Sequence, residues 1–317
     1  MTDVVAGVDI GGTNTVIGFV TRDGDVISEG RLSTADYAFA VDFVEAFSAK
    51  LAEMQGGMKD INMRGVGIGA PNANYHKGTI ELAPKLRWKG IVPLGAMIEK
   101  KTGLSVKLTN DANAAALGEM LFGAARGMKD FIILTLGTGL GSGIVVDGEV
   151  VYGHTGFAGE LGHLTVVPGG RVCGCGRRGC LETYASATGL VRTALSLLSD
   201  RRDDSILRSM KSTEITSRRI AEAAAAGDVI AAEAMDQTAR MIAQGIANSV
   251  IFSSPEAVFL FGGLAQAGDA IIVPARKYAD EMVQPIFRGT FSILPSGLPE
   301  ARAAVLGASA LIWKEIK

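Results

Sequence analysis

The stretch that decides the fold of this chain occurs twice. Residues 4–26 read VVAGVDIGGTNTVIGFVTRDGDV, and residues 131–150 read FIILTLGTGLGSGIVVDGEV. Each copy has an apolar strand, a Gly-Thr turn, a second strand and an Asp-Gly turn that leads into a third strand. Asp23 follows Thr13 by 10 residues, and Asp147 follows Thr138 by 9. The repeat favours a duplicated α/β domain with a cleft between the copies over two unrelated hairpins.

Composition excludes several classes of protein. The 317 residues include 41 glycines, yet 48% are hydrophobic, so the glycines belong to a folded chain that needs positive φ angles or close backbone approach. A net charge of −2 leaves no basic excess for nucleic acid. No apolar run reaches the roughly 18 residues of a membrane span, and no secretory signal is visible. The three cysteines fit a reducing, cytoplasmic setting.

Periodicity predicts the elements between and after the two copies. Helices are predicted at Phe39–Met54, Asp111–Ala125, Ser186–Ser199, Thr216–Ala226, Val229–Phe252 and Ala301–Trp313, and further strands at Gly65–Ala70, Val106–Leu108 and Ala257–Phe261. The second half is therefore mainly helical.

The second glycine turn, GTGLGSG at residues 137–143, is a candidate phosphate site. It lacks the Gly-Lys-Ser/Thr ending of a P-loop, and a strand follows it where a dinucleotide fingerprint needs a helix. The remaining interpretation is a hairpin whose N–H groups and hydroxyls bind an anion. Beside the first turn, Asp9 could hold a metal–phosphate unit through water, or it could cap the turn.

Asp111 stands at the predicted start of a helix. Local sequence favours a helix cap at this position. The alternative is a general base that orients a hydroxyl for phosphoryl transfer.

All three cysteines lie within eight residues, at Cys173, Cys175 and Cys180, and His163 precedes them by ten. Four such ligands in a short loop suit a tetrahedral, structural Zn²⁺ site, whereas free thiols or one disulfide is the alternative. Glu160 and Glu182 lie within three residues of a predicted ligand, so the metal would fix carboxylates that can hydrogen-bond a carbohydrate.

Taken together, these motifs resemble the ROK family of sugar kinases and regulators, from Asp9 to the closing helix. The most specific parts are the motifs Ala158-Gly-Glu-x-Gly-His163 and Cys173-x-Cys-Gly-x-x-Gly-Cys180-x-Glu182. The resemblance implies an actin/hexokinase-like (ribonuclease H-like) α/β fold, whose two lobes close on ATP, Mg²⁺ and a sugar. We expect a small lobe at 1–110, with a helix of about 301–317 packing back on it. A large lobe at 111–300 would carry the zinc loop and a helical nucleotide-binding part.

The roles of the family carry over by position. The expected nucleotide and phosphate contacts are Asp9, Gly11, Gly12, Thr13, Asn14, Gly137, Thr138, Gly139, Gly141, Gly262 and Gly263. The expected sugar contacts are Gly69, Pro71, Asn110, Asp111, Glu160, His163 and Glu182. Asp111 matches the catalytic residue that takes the proton from the 6-hydroxyl. The expected zinc ligands are His163, Cys173, Cys175 and Cys180.

Two positions depart from the family pattern. Asn72 stands where many family glucokinases have Gly, and Lys85 replaces the Asn of a frequent Pro-Asn-Leu. These two departures leave open which sugar the protein binds.

The resemblance implies ATP-dependent phosphorylation of a hexose, with glucose favoured and an N-acetylhexosamine or another hexose as the alternative. A sugar-responsive regulator would need a DNA-binding segment, and only eight residues precede Asp9. We therefore expect no nucleic-acid partner and no membrane partner. An actin-like filament former would have no use for the zinc loop. The expected protein is a cytoplasmic homodimer.

Overall fold

The computed structural model describes residues 1–316, and its contacts divide the chain into two units. The first unit holds Met1–Met128, Val150–Ala158 and the chain from Gly297 onward. The second unit holds Lys129–Glu149 and Gly159–Ser296. Each unit contains a five-stranded sheet.

The first unit is built on a mixed sheet in the order β3-β2-β1-β4-β8. Its elements are β1 (Thr2–Ile10), β2 (Asn14–Thr21), β3 (Val26–Ser33), α1 (Ala40–Gly56), β4 (Ile61–Gly69), β5 (Ala73–Asn74), β6 (Thr79–Glu81), β7 (Ile91–Val92), α2 (Leu94–Thr102), β8 (Val106–Thr109), α3 (Asp111–Phe122) and, from the C-terminal segment, α9 (Ala303–Trp313). Strands β1, β2 and β3 form antiparallel hairpins, whereas β1, β4 and β8 run parallel.

The second unit repeats this plan, with the sheet order β11-β10-β9-β12-β13. Its elements are β9 (Phe131–Leu136), β10 (Leu140–Val146), β11 (Glu149–Val150), α4 (Glu182–Ala185), α5 (Ala187–Asp200), α6 (Ser217–Ala225), α7 (Val229–Ser253), β12 (Ala257–Phe261), α8 (Asp269–Met282) and β13 (Ser292–Pro295). Strands β9 and β10 are antiparallel, and β9, β12 and β13 are parallel. The predicted duplicated α/β fold is confirmed.

Helix α9 explains part of the glycine excess. It packs on β1 and β4, where a β-carbon on Gly7 would overlap the carbonyl of Val305 and one on Gly67 the carbonyl of Ala308. Only glycine lets a helix backbone lie this close to a sheet. These two glycines therefore serve the packing of a helix on a sheet, which the sequence did not predict.

Helix α3 belongs with the first sheet by its contacts, so the first unit extends beyond the boundary expected at residue 110. It packs on α9, and a β-carbon on Gly118 would lie 2.9 Å from the Cα of Gly307. Helix α9 is shorter than the expected 301–317, of which Lys317 lies outside the described residues. Within 1–316, no helix is both long and apolar enough to cross a bilayer.

Candidate active site

The first glycine turn joins β1 to β2. The N–H of Gly11 donates to the carbonyl of Asn14 at 2.9 Å, and the carbonyl of Thr13 accepts from the N–H groups of Thr34 and Ala35. The N–H groups of Gly12 and Thr13 have no acceptor among residues 1–316. Two successive donors without a protein partner are what an anion cradle requires.

Sheet register brings the predicted site residues of the first unit to one edge. Asp9 pairs with Gly69 across β1 and β4, and Gly69 pairs with Thr109 across β4 and β8. Because these strands are parallel, their carboxyl ends meet, and the segments that follow them lie side by side. A β-carbon on Gly69 would lie 3.9 Å from the Cα of Asp111. Three neighbouring strands thus bring together, at or just after their carboxyl ends, Asp9, Gly69, Pro71, Asn110 and Asp111.

The cap of helix α3 is Asn110, which corrects the local expectation that Asp111 caps it. Asn110 has extended backbone angles, and its Oδ1 accepts from the N–H of Asn113 at 2.7 Å. Asp111 follows as the first helical residue and is exposed, with Oδ1 accepting from the N–H of Ala112 at 2.9 Å. Asn110 therefore supplies the cap, and the exposed carboxylate of Asp111 lies at the first turn of the helix.

Asp9 lies in a less polar setting. Burial, and in second place the negative charge of Asp111, raise the pKa of the Asp9 carboxyl from 3.8 to about 6. An ionised Asp9 is therefore costly unless a cation accompanies it.

The second glycine turn joins β9 to β10 and, like the first, has two successive N–H groups without a protein acceptor among residues 1–316. The N–H groups of Thr138 and Gly139 find no acceptor in the described chain. The start of α5 holds the turn: Ala187 N–H donates to Gly137 O at 2.9 Å, and Thr188 Oγ1 donates to Thr138 O at 2.7 Å. Sequence reasoning missed this role of α5, although Ser186 is recognisable as its N-cap.

The expected adenosine motif lies at the same sheet edge as this turn. Strand β12 pairs with β9 up to Phe261 and Thr135, and Leu264 N–H donates to Leu136 O at 3.1 Å. Gly262 has a φ of +98°, which glycine adopts without strain. A nearby cavity of about 410 Å³ is lined by Thr138, Ala187, Thr188, Val191, Arg192, Ile215, Thr216 and Ser217. These features give the edge both anion donors and a partly apolar recess.

The predicted metal ligands come together. The ligand atoms of His163, Cys173, Cys175 and Cys180 all lie within 4.8 Å of one another. Cys173 Sγ is 3.7 Å from His163 Nδ1, and the Sγ atoms of Cys175 and Cys180 are also 3.7 Å apart. Zinc–sulfur bonds of about 2.3 Å at tetrahedral angles would separate two sulfurs by about 3.8 Å, so the cluster fits zinc.

Burial disfavours the ionised form of two of the three cysteines. Burial raises the pKa of the Cys173 thiol to about 12 and also raises that of Cys180, whereas a hydrogen bond from the backbone N–H of Arg177 lowers the pKa of Cys175. All three cysteines are free thiols rather than a disulfide. A bound cation would offset the cost of ionising the buried pair.

Glu160 and Glu182 flank this cluster in different ways. Glu160 is exposed and precedes the 3₁₀ turn Leu161–His163, beside a cavity of about 480 Å³ that His163, Thr165 and Arg177 also line. Glu182 is half-buried, and its Oε2 accepts from the N–H of Leu140 at 3.1 Å. Sequence reasoning did not anticipate that Glu182 reaches the second glycine turn.

Comparison with known proteins agrees with this geometry. The profile of the ROK family matches residues 5–315, and the chain belongs to the ROK family. A glucokinase of Thermotoga maritima is 34% identical over 312 residues, which cover 98% of this chain and 97% of the relative. A xylose repressor of Caldicellulosiruptor bescii is 35% identical over 253 residues, which cover 80% of this chain and 63% of the repressor.

Among solved structures, a ROK family glucokinase from Streptomyces griseus in complex with glucose and AMPPNP is 35% identical to this chain. Its TM-score is 0.80, and the match covers 97% of this chain and 98% of the other. The fold is therefore the actin/hexokinase-like fold that the sequence predicted.

Proposed function

We propose that this protein is an ATP-dependent hexose kinase that phosphorylates the 6-hydroxyl of a hexose, with glucose as the favoured substrate. The observation that carries the proposal is the repeated turn. Gly12 and Thr13 in one unit, and Thr138 and Gly139 in the other, present paired N–H donors without protein acceptors in residues 1–316. The likeness to glucokinases over nearly the whole chain supports glucose.

Asp111 is the proposed catalytic base. Its exposed carboxylate follows β8 at the edge where Asp9 and Gly69 also lie. Phosphoryl transfer has a loose transition state, so a base that orients the hydroxyl and accepts its proton late is sufficient. Asn110, Gly69 and Pro71 lie at or just after the ends of β8 and β4 and are the proposed sugar contacts in the first unit.

The second unit supplies the other proposed contacts. Gly137, Thr138, Gly139 and Gly141 would bind phosphates, Gly262 and Gly263 the adenosine, and Glu160, His163 and Glu182 the sugar. In the first unit, Gly11, Gly12, Thr13 and Asn14 would bind phosphates, and Asp9 would hold the hydration shell of Mg²⁺. The Mg²⁺ that accompanies ATP neutralises phosphate charge, and Zn²⁺ on His163, Cys173, Cys175 and Cys180 stabilises the loop.

The same proposal includes a cytoplasmic location, which the three cysteines favour, and a homodimer, which the family resemblance favours. It includes no nucleic-acid partner. A sugar-responsive regulator is the second candidate, since a xylose repressor is 35% identical over 80% of this chain.

A panel of sugars with MgATP tests the proposal by following ADP release. Glucose should give the highest kcat/KM among glucose, mannose, fructose, N-acetylglucosamine and N-acetylmannosamine. Preference for an N-acetylated sugar would replace glucose with the alternative substrate class. Sugar binding without any ADP release would favour the regulator.

A further inference from the structure

We propose that Glu182 is a positioning residue that ties the Cys/His cluster to the second glycine turn, so that nucleotide affinity depends on the metal-binding loop. The inference rests on the proposed function in one respect: it takes the turn at Gly137–Gly141 as the nucleotide phosphate site. It goes beyond the sugar contact that the family resemblance implies for Glu182.

The carboxylate of Glu182 contacts both features. Its Oε2 accepts from the Leu140 N–H at 3.1 Å, and its Oε1 lies 3.6 Å from the Sγ of Cys173. A β-carbon on Gly139 would overlap Oε2, so the side chain packs directly on the turn. Because Glu182 follows the predicted ligand Cys180 by two residues, the metal-binding loop sets the position of a carboxylate that accepts from the backbone at Leu140.

The other metal-binding segment packs on the same strand. A β-carbon on Gly162 would overlap the carbonyl of Leu140. Two residues further along β10, Ser142 Oγ donates to the carbonyl of Gly159 and accepts from the N–H of Leu161 at 3.1 Å. The backbone of Leu140 therefore contacts both Glu182 and the segment that carries His163.

These contacts fix the direction of the free N–H groups of the turn. Gly137 O and Thr138 O are held by the start of α5, and Gly139 O accepts from Gly137 N–H at 3.0 Å. Because a peptide unit is planar, holding each carbonyl orients the N–H on its other side. Glu182 holds the N–H of the Gly139–Leu140 peptide, the last unit of the turn. Donors aimed before binding contribute more affinity than donors that must be ordered.

The charge of Glu182 distinguishes a residue that positions the turn from one that contacts the phosphate. A carboxylate repels a polyphosphate, so Glu182 does not itself bind the nucleotide. Glutamine keeps an oxygen that can accept from Leu140 N–H and removes the negative charge, whereas alanine removes the acceptor. Glu182→Gln should therefore bind nucleotide at least as tightly as wild type, and Glu182→Ala should bind it more weakly.

The direct experiment is calorimetric titration of the zinc-loaded protein with MgADP in the absence of sugar. We expect the Kd to rise about tenfold or more in Glu182→Ala, the equivalent of at least about 1.4 kcal/mol. In Glu182→Gln it should stay within about threefold of wild type or fall. Elemental analysis of each variant shows whether zinc is retained.

Metal removal should act through the same residue. Chelation should raise the Kd of wild type about as much as Glu182→Ala does and add little to the Glu182→Ala variant, the non-additivity expected of a shared pathway. Unchanged MgADP binding by zinc-loaded Glu182→Ala overturns this inference alone. A wild-type protein that binds no MgADP overturns the proposed function and this inference with it.

The two glycines of the turn offer a matched pair of variants. A methyl group on Gly139 would meet only the flexible end of Glu182, so Gly139→Ala should fold and push that side chain away from Leu140. A methyl group on Gly137 has no atom within 4 Å. Gly139→Ala should weaken MgADP binding more than Gly137→Ala does, and equal losses would contradict the role of Glu182.

Discussion

Glu182 Oε2 accepts a hydrogen bond from the backbone N–H of Leu140, 3.1 Å away and 42 residues earlier in the chain. This bond attaches the end of the Cys/His loop to the first residue of β10. The stiffness of a glycine-rich turn comes from its neighbours because glycine restricts its own backbone least. Here the neighbours are Glu182, two residues after Cys180, and the first residues of α5, which begins at Ala187.

Removing the carboxylate of Asp111 should remove most of the kinase activity. Asp111→Asn keeps a side-chain oxygen for the N–H of Ala112, so the start of α3 should remain intact. We expect kcat to fall about 10²- to 10⁴-fold, the usual contribution of a general base. ADP release measures the loss, and circular dichroism checks the fold.

A matched control is Asp42→Asn, which changes an exposed acid in the first turn of α1. It should leave kcat within about twofold. Wild-type turnover by Asp111→Asn would show that another group takes the proton.

The Cys/His cluster should hold about one zinc ion per chain, as four ligands of a closed site predict. Cys175→Ser should lose the ion without leaving a cavity, because Cys175 is exposed. A ligand present at about 1,000 times its Kd stabilises the fold by about 4 kcal/mol, so the Tm should fall by several degrees. Elemental analysis and thermal unfolding measure the two effects.

Arg178→Ser changes an exposed side chain in the same loop and should keep the metal. Purified wild-type protein without bound metal, grown with adequate zinc, would contradict the assignment.

Neutralising Asp9 should stabilise the ligand-free protein at high pH. The pKa of Asp9 is about 6 in the folded chain and 3.8 in the reference state, so the folded state holds the proton more tightly. Ionised Asp9 therefore costs stability as pH rises from about 4 to 6, and the cost is complete above that range. Asp9→Asn should gain on the order of 2 kcal/mol at pH 8 and little at pH 4.

Urea unfolding at the two pH values measures this difference. Asp23→Asn, at an exposed hairpin turn, is the control for removing one negative charge. A gain for Asp9→Asn that is equal at pH 4 and pH 8 would exclude titration of Asp9 as the cause. The same variant should lose kinase activity, because Asp9 is the proposed Mg²⁺ residue.

Asn72 should stabilise the loop after β6 through its side chain. It has a φ of +52°, and its Nδ2 donates to the carbonyl of Glu81 at 3.0 Å. Asn72→Gly loses this hydrogen bond, at about 1 kcal/mol, but keeps the left-handed conformation. Asn72→Ala loses the same bond and adds about 1 kcal/mol of backbone strain, so it should be the less stable of the two.

Chemical denaturation measures the free energy of unfolding of both variants and shows which is the less stable. Equal stabilities would mean that position 72 does not keep its left-handed conformation in solution. The KM for the sugar, taken with both variants, tests whether this departure from the family pattern also affects substrate choice.

Much of the architecture follows from the sequence because its signals are local. Alternating apolar residues and Asp-Gly turns predict β1, β2, β9 and β10, and strand β12 at Ala257–Phe261 is as predicted. The Cys/His cluster is also local, since its four residues lie within 18 residues of one another. By contrast, helices α2 and α8 have no clear local signal, and α8 contains Pro274 in its interior.

The tertiary structure alone decided the contacts between residues that are distant in sequence. Which of Asn110 and Asp111 caps α3 depends on backbone angles set by the preceding strand, and both types are good caps. Gly7 and Gly67 are glycines because α9, from the other end of the chain, lies on them. The sequence by itself determined the repeated strand–turn units and the Cys/His cluster, because short-range geometry defines both. Packing alone determined that Glu182 reaches Leu140, because such a contact depends on where two separately formed elements come to rest.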